Sequence, residues 1–208
     1  MKSMHRTPEW QSNLNRMLVR LEEVKALPVL DPGIHLHMGC GPNILPGFHN
    51  IDKFHEHPDI IKYDMYDPKY EENSVSSIYS SHSLEHLPIR LAKLALINWG
   101  KVLKPGGRLH LAIPDLEDIL RTMLDPDVPA YAKESWYMYT LFGYQVDPNF
   151  YANNPALDLP VCLGQFHQCG FTKDTITASL SNTGFKVVDI YNYNGYDTPS
   201  IWVEAVKV

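Results

Sequence analysis

The sequence predicts an α/β fold with one mostly parallel sheet of seven strands and helices on both faces. An apolar segment, residues 34–38, runs directly into Gly39-Cys40-Gly41, which is typical of a strand entering a tight turn. Strand and helix patterns then alternate, which favours parallel pairing with right-handed crossovers. A length of 208 residues with 44% hydrophobic content suffices for one core, so we expect residues 1–208 to form a single domain.

Seven short segments are the predicted strands because they are apolar and most are rich in β-branched or aromatic residues. They comprise residues 34–38, 48–52, 59–63, 75–80, 108–113, 186–193 and 200–208. We expect Lys104-Pro105-Gly106-Gly107 to make a tight turn into the fifth strand. A short polar connection joins the last two strands, which favours an antiparallel C-terminal hairpin.

Helices are predicted where apolar residues recur at helical spacing between end signals. One runs from Pro88 to Val102, with charged residues on one face and apolar residues on the others, as expected for a helix laid on a sheet. The others are an N-terminal helix within residues 1–30, a helix over 116–124, and a helix that begins after Thr172 and ends before Gly184.

Residues 126–170 fit neither pattern. They contain five prolines, nine of the 23 aromatic residues and a single lysine. A structureless loop of this length is unusual, so we expect short helices that form a cap. Aromatic, uncharged material beside a ligand-binding edge favours a helical lid over an apolar or sugar-like ligand. The alternatives are a subdomain with its own small core, or the contact of a homodimer.

Composition disfavours several classes of protein. The net charge is −6 and no run of Lys and Arg is present, which argues against a nucleic-acid partner. No segment approaches the ~20 apolar residues of a membrane span, and no apolar segment follows the N-terminal charges as in a secretory signal. Three cysteines make no disulfide framework. We therefore expect a cytoplasmic protein without a membrane span.

The glycine turn does not fit a dinucleotide-binding protein. The dinucleotide-binding motif G-x-G-x-x-G requires a third glycine and a helix whose N-terminus faces the pyrophosphate of the ligand. Here Gly41 is followed by Pro42, and only six residues separate Gly41 from Phe48 at the start of the next strand. Without that helix, a ligand that contains a pyrophosphate would lose its anion-binding site. A nucleoside without phosphate does not need such a site. S-adenosyl-L-methionine is such a ligand.

In order and spacing, the motifs resemble those of the class I S-adenosylmethionine-dependent methyltransferases, especially small stand-alone bacterial members. The resemblance covers about residues 34–116 and rests on five spaced elements: 36–41, 46–52, Asp64, 76–86 and 102–107, with 114–116 and 184–185 beyond them. It implies a Rossmann-like fold and S-adenosyl-L-methionine as cofactor. Similar proteins are often associated with polysaccharide or cell-surface sugar pathways.

The resemblance also implies a cofactor site. The glycine turn would let the backbone approach the methionine moiety. Asp52 would accept hydrogen bonds from the ribose hydroxyls, and Asp64 from the adenine amino group. The expected cofactor-binding residues are Met38, Gly39, Cys40, Gly41, Asp52, Lys53, Asp64, Met65, Ser81 and His82. The sequence departs from the family at His37, where many members carry an acid that orients the cofactor's amino group.

Methyl transfer needs a base only if the acceptor must lose a proton. The titratable candidates near the expected methyl position are, in order, His82, His167 and Asp115. The alternative role of Asp115 is to cap the following helix.

Two patterns invite a metal site. His82 and His86 flank Glu85, but the spacing is not that of an H-E-x-x-H zinc helix. Cys162, His167 and Cys169 match no common zinc set. The sequence therefore predicts no metal.

We thus expect an enzyme that transfers a methyl group from S-adenosyl-L-methionine to oxygen or nitrogen of a small molecule, with a saccharide or polysaccharide precursor as one such acceptor. The first alternative is a catalytically inactive nucleoside-binding module that serves as a partner protein, which His37 favours. The second is a nicotinamide oxidoreductase, which the missing third glycine disfavours.

Overall fold

The computed structural model describes residues 27, 30–133, 138–143, 164–195 and 198–208. Within these ranges the chain is an α/β structure built on one seven-stranded sheet. The N-terminal helix predicted within residues 1–30 lies outside the described residues, as does the greater part of the predicted insertion at 126–170.

The sheet confirms the predicted mixture of parallel and antiparallel strands. In chain order the strands are β1 Ile34–Met38, β2 His49–Ile51, β3 Ile60–Ile61, β4 Val75–Ser81, β5 Leu103–Pro114, β6 Phe185–Gly195 and β7 Thr198–Lys207. Across the sheet they follow the order β3-β2-β1-β4-β5-β7-β6. Strands β1 to β5 pair in parallel. Strand β7 pairs antiparallel with both β5 and β6, as the predicted C-terminal hairpin requires.

Strand β5 begins earlier than predicted. Leu103 already pairs with Val75, and the next pair joins Arg108 to Ser77. Residues 104–107 therefore form a bulge inside the strand, and Gly106 takes the left-handed φ of 75° that the bulge needs. At the other side of the sheet, β2 and β3 have only three and two residues and are shorter than predicted.

The helices agree with the sequence patterns in the part of the chain that the structure describes. They are α1 Ile89–Val102, α2 Leu116–Leu124, α3 Ala130–Ala132, α4 Met138–Phe142 and α5 Lys173–Ser181, and residues Leu84–His86 form one 3-10 turn. Helix α1 buries Leu96 and Trp99 and leaves its charged residues exposed. Helix α5 starts with a capping box between Thr172 and Thr175.

Apolar residues are buried on both faces of the sheet. Ile78 and Tyr79 are neighbours on β4 and so point to opposite faces. Ile78 belongs to the main core cluster, which includes residues of α1 and α5. Tyr79 belongs to a smaller cluster with Trp202, against which Leu27 packs. A segment preceding β1 thus contributes to the second face.

The carboxyl ends of the five parallel strands lie at one edge of the sheet, where ligands bind in open α/β folds. The residues that follow these strands are Gly39, Asp52, Asp64, His82 and Asp115. Residues from four of the five spaced elements, together with Asp115, therefore lie along a single edge, whereas the element 102–107 lies at the opposite, amino end of β5. Among the described residues, no helix is both long and apolar enough to cross a bilayer.

Candidate functional site

The turn after β1 uses its two glycines for different reasons. Both have left-handed φ values, 65° at Gly39 and 54° at Gly41. A Cβ on Gly39 would lie 2.4 Å from Cβ of Ser83, so this glycine allows the turn to pack against the segment after β4. A Cβ on Gly41 would meet only Cε1 of His55, at 3.8 Å. The backbone at Gly41 is thus open to a ligand.

Asp52 is a preorganised carboxylate at the end of β2. Its Oδ2 accepts a 2.9 Å hydrogen bond from the backbone N–H of Gly41, and its Oδ1 accepts from the backbone N–H groups of Phe54 and His55 at 2.7 and 2.9 Å. Burial raises the pKa of Asp52, but hydrogen bonds from His55, Phe54 and Gly41 outweigh it and lower the pKa to about 2. Asp52 is therefore ionised, with one lone pair of Oδ2 left beyond the bond from Gly41.

Asp64 and Lys53, both predicted to bind the cofactor, are paired with each other. Lys53 Nζ lies 3.0 Å from Oδ1 of Asp64, and 53% and 31% of the two side chains are exposed. An ion pair this exposed contributes little stability, so a ligand can replace it. The next residue, Met65, is fixed by Trp99, whose indole N–H donates to the Met65 carbonyl at 2.7 Å.

His37 is buried between Tyr79 and Asn50. Its ring is buried against Tyr79, and its Nδ1 atom lies 3.0 Å from Oδ1 of Asn50. The Asn50 amide nitrogen donates to the carbonyls of Leu45 and Phe48, which fixes Oδ1 as the acceptor and Nδ1 of His37 as the donor. His37 and Asn50 together hold the turn between β1 and β2.

His82 follows β4 in a strained backbone conformation with φ of 47°. The backbone N–H of His82 donates a hydrogen bond to the carbonyl of Ala112 on β5. Its ring connects two parts of the edge: Nε2 lies 3.3 Å from Oγ of Ser200 on β7, and Nδ1 lies 3.6 Å from Oε1 of Glu85. Ser81, also predicted to line the cofactor site, is buried and pairs with Ala112 within the sheet.

Glu85 is the residue that the sequence analysis did not select. Its side chain is 1% exposed, and neither carboxylate oxygen has a hydrogen-bond partner. Burial raises the pKa of Glu85 to about 8. Ionisable side chains are rarely this buried without a hydrogen-bond partner, so the burial of Glu85 requires an explanation. The one sequence signal was its place within Ser81-His82-Ser83-Leu84-Glu85-His86, where it could be read as an exposed turn residue.

His167 reaches the same place from the insertion. Its Nε2 lies 3.9 Å from Oε1 of Glu85, and its ring centroid lies 4.9 Å from that of His86. Burial, followed by the charge of nearby His86, lowers the pKa of His167 to about 4. The structure therefore groups His82, Glu85, His86 and His167 at the end of β4.

Asp115 caps helix α2, which was the alternative to its predicted role as a base. Its Oδ1 accepts hydrogen bonds from the backbone N–H groups of Glu117 and Asp118 in the first turn of α2. Its Oδ2 accepts from the side-chain amide of Asn192 on β6. Both oxygens are committed and the residue is 5% exposed. This geometry favours a structural role over a role as base.

Residues 164–171, here called the strap, cross the carboxyl edge of the sheet. A Cβ on Gly164 would lie 2.7 Å from the ring of Phe54, which follows β2. The backbone N–H groups of Gln168 and Cys169 donate to the carbonyl of Glu85, after β4. Phe171 forms a parallel bridge with Asp115, after β5. The described end of the predicted insertion thus crosses the edge, and its role as a lid stays a prediction. Cys162, which the sequence analysis considered with His167 and Cys169 as metal ligands, lies outside the described residues.

The fold and one stretch of sequence are similar to those of known proteins. A family model described as a methyltransferase domain matches residues 36–111. No curated protein is significantly similar in sequence.

Solved structures share the fold at low sequence identity. A protein of Listeria monocytogenes assigned as an S-adenosylmethionine-dependent methyltransferase has 15% identity and a TM-score of 0.62, covering 94% of this chain and 99% of the other. A Mesorhizobium loti S-adenosylmethionine-dependent methyltransferase has 14% identity and a TM-score of 0.53, with 96% and 97% coverage. The 1,6-didemethyltoxoflavin-N1-methyltransferase of Burkholderia thailandensis, solved with bound 1,6-didemethyltoxoflavin and S-adenosylhomocysteine, has 12% identity and a TM-score of 0.55, with 97% and 80% coverage.

Proposed function

Because residues 36–111 match a methyltransferase domain and the chain has the fold of class I S-adenosylmethionine-dependent methyltransferases, we propose that it methylates a small molecule with S-adenosyl-L-methionine as donor. The observation that carries this proposal is the hydrogen bond between Gly41 and Asp52. It joins the glycine turn and the carboxylate that such a cofactor requires, and it holds both at one edge of the sheet.

The residues at this edge fit the cofactor. The ionised Asp52 keeps one acceptor position of Oδ2 for a ribose hydroxyl. Its Oδ1 already accepts from two backbone amides, so the carboxylate is held in one orientation before a ligand arrives. Gly41 presents open backbone, and the Lys53–Asp64 pair is exposed enough to open for an adenine amino group.

When bound, the cofactor supplies an activated methyl group on a positively charged sulfur. The protein has to align the acceptor in line with that group and exclude water. Met38 is buried and offers only its backbone, which Ser83 holds through a 3.2 Å bond to the carbonyl. The strap lies where water would otherwise reach the edge, between Phe54 and Asp115.

An acceptor hydroxyl must lose a proton, and His82 is the best-placed base. It follows β4 with 15% of its side chain exposed, and its ring nitrogens contact a hydroxyl of Ser200 and a carboxylate oxygen of Glu85 at 3.3 and 3.6 Å, whereas both oxygens of Asp115 accept N–H hydrogen bonds from α2 and Asn192. Saccharide hydroxyls and small amines are the acceptor classes we favour, since the net charge of −6 and the aromatic insertion suit neither nucleic acid nor a highly charged partner.

The proposal is tested first by binding and then by turnover. In isothermal titration calorimetry, S-adenosyl-L-methionine and S-adenosylhomocysteine should each bind at one site per chain, and NADH should not bind. S-adenosylhomocysteine should then accumulate with an acceptor from a panel of saccharides, nucleotide sugars and small amines. Binding of NADH alone would refute the proposal.

The second candidate function is a catalytically inactive nucleoside-binding module that acts as a partner protein. The observation that favours it is that a buried histidine, bonded through Nδ1 to Asn50, occupies the position where many members of the family carry the acid that orients the cofactor's amino group. This candidate predicts cofactor binding without S-adenosylhomocysteine formation on any acceptor of the panel or in a lysate of small metabolites.

A further inference from the structure

We propose that Glu85, His86 and His167 form a binding site for a divalent transition-metal ion at the end of β4. One ligand atom from each of the three residues lies within 4.8 Å of the other two. The residues come from two separate segments, the 3-10 turn after β4 and the strap, so the fold brings them together and their spacing in the chain does not reveal the site.

The first argument is the state of the Glu85 carboxylate. The side chain is 1% exposed and neither oxygen has a hydrogen-bond partner. Buried polar groups are nearly always hydrogen-bonded, and buried charges are paired or coordinate metals. A cation between Glu85 and the two imidazoles would give this carboxylate a partner.

The second argument is the spacing of the donor atoms. Oε1 of Glu85 lies 3.9 Å from Nε2 of His167, which is too long for a hydrogen bond. Ligand atoms bound at about 2.1 Å to one tetrahedral ion lie roughly 3.4 Å apart. Two donor atoms 3.9 Å apart, one of them an oxygen without a hydrogen-bond partner, match a shared ion better than a direct contact.

The third argument is that backbone hydrogen bonds already fix the ligands. Nδ1 of His86 lies 3.2 Å from the carbonyl of Phe166, the kind of outer partner that orients a metal-bound imidazole. Gln168 donates from its backbone to the carbonyl of Glu85 and from its side chain to the carbonyl of His86, at 2.8 and 2.7 Å. These bonds fasten the strap to the 3-10 turn, so the site is preorganised.

The donor set selects the type of ion. Two imidazoles and one carboxylate suit Zn²⁺, Fe²⁺, Mn²⁺ or Co²⁺, whereas Mg²⁺ and Ca²⁺ prefer oxygen ligands. Three protein ligands leave at least one coordination position open, as in catalytic sites. His82 adjoins the three ligands, with Nδ1 3.6 Å from the same Glu85 oxygen.

We propose that the ion acts on the methyl acceptor. This role rests on the proposed function, whereas the binding of the ion does not. Bound there, the ion would lower the pKa of an acceptor hydroxyl that takes the open position. The proton would pass to His82, the acceptor oxygen would form a bond to the methyl carbon, and the carbon–sulfur bond would break with its electron pair left on sulfur. In this arrangement His167 is a metal ligand, and His82 is the base.

The experiment uses the full chain without a polyhistidine tag, stripped with a chelator. Titration with Co²⁺, followed by visible absorption and by calorimetry, should give one site per chain. Glu85→Gln and His167→Ala should each weaken binding at least 100-fold, while His57→Ala, a half-exposed histidine away from the site, should leave it unchanged. Zn²⁺ should raise the melting temperature of the wild type but not of Glu85→Gln, which keeps the size of the buried side chain.

Failure of this inference is distinct from failure of the proposed function. Absence of Co²⁺ binding by the wild type, or equal affinity in the wild type, Glu85→Gln and His167→Ala, overturns the metal site. Calorimetry with S-adenosyl-L-methionine on the metal-free chain tests cofactor binding separately. Metal binding without cofactor binding would retain the site and refute the methyltransferase.

Discussion

The backbone N–H of Gly41 donates a 2.9 Å hydrogen bond to Oδ2 of Asp52. This bond connects the turn after β1 to the carboxylate after β2. The other oxygen of Asp52 accepts from the amides of Phe54 and His55, so the carboxylate is oriented by the protein alone. Asp52 therefore serves both the fold and the proposed ligand, and its two roles can be separated by measuring stability and binding on the same variant.

The Asp52→Asn variant should bind S-adenosyl-L-methionine about 100-fold more weakly. A carboxylate accepts hydrogen bonds at both oxygens, whereas an amide replaces one acceptor by a donor and loses the charge, at a cost of about 1.5–3 kcal/mol for a charged hydrogen bond. Calorimetric titration measures the affinity. Asp59→Asn is the matched control because the Asp59 side chain is 70% exposed. Equal affinities in the two variants would contradict the ribose role.

Asp52 should also stabilise the protein in a defined range of pH. The pKa of Asp52 is about 2 in the folded state, below its usual value of 3.8 in the unfolded chain. The stabilisation is therefore fully present above about pH 4 and is lost as the pH falls toward 2, with a size of about 2 kcal/mol. Urea unfolding should show the wild type more stable than Asp52→Asn at pH 5, with the difference closing toward pH 2. A constant difference would mean that the carboxylate charge is not the cause.

Gly39→Ala should destabilise the protein more than Gly106→Ala. Both glycines have left-handed φ, 65° and 75°, so both variants carry backbone strain. Only at Gly39 does the new Cβ meet a neighbour, Cβ of Ser83 at 2.4 Å, while nothing lies within 4 Å at Gly106. The contact should add about 1–3 kcal/mol to the loss. Chemical denaturation of both variants measures the difference, which should vanish if the turn can move away from Ser83.

His82→Asn should lower kcat by about 10²–10⁴-fold for a hydroxyl acceptor, the usual contribution of a general base. Asparagine is chosen because it tolerates the left-handed φ of 47° at this position, so the backbone is retained. The rise of kcat with pH that reports the base should disappear in the variant, while affinity for S-adenosylhomocysteine should change little. A uniform drop in affinity with an unaltered pH profile would assign His82 a positioning role instead.

The sequence predicted the strand order along the chain, the hairpin and the positions of Gly39, Asp52, Asp64 and His82 because local signals encode them. Glycine turns, apolar strand segments and carboxylates that follow strands are read directly from neighbouring residues. These features ended at one edge of the sheet as expected. Cofactor binding by these residues stays a prediction.

The cluster around Glu85 could not be predicted because it depends on contacts between distant parts of the chain. His167 is far from Glu85 in sequence, and the strap joins them through backbone bonds to the Glu85 carbonyl. Likewise, the bond from His37 to Asn50 explains the departure from the family pattern only once β1 and β2 are paired. No local pattern distinguishes such a buried partner from an exposed one.

Asp115→Ala should cost about 1 kcal/mol of stability, and Asp115→Ser should recover most of it. The Oδ1 of Asp115 caps α2 through the amides of Glu117 and Asp118, and serine at an N-cap provides the same acceptor. If Asp115 is only a cap, Asp115→Ser should also retain most of the methyl-transfer rate. Parallel measurement of unfolding free energy and kcat decides between the two roles. A kcat that falls by more than 100-fold in Asp115→Ser at normal stability would restore Asp115 as the base.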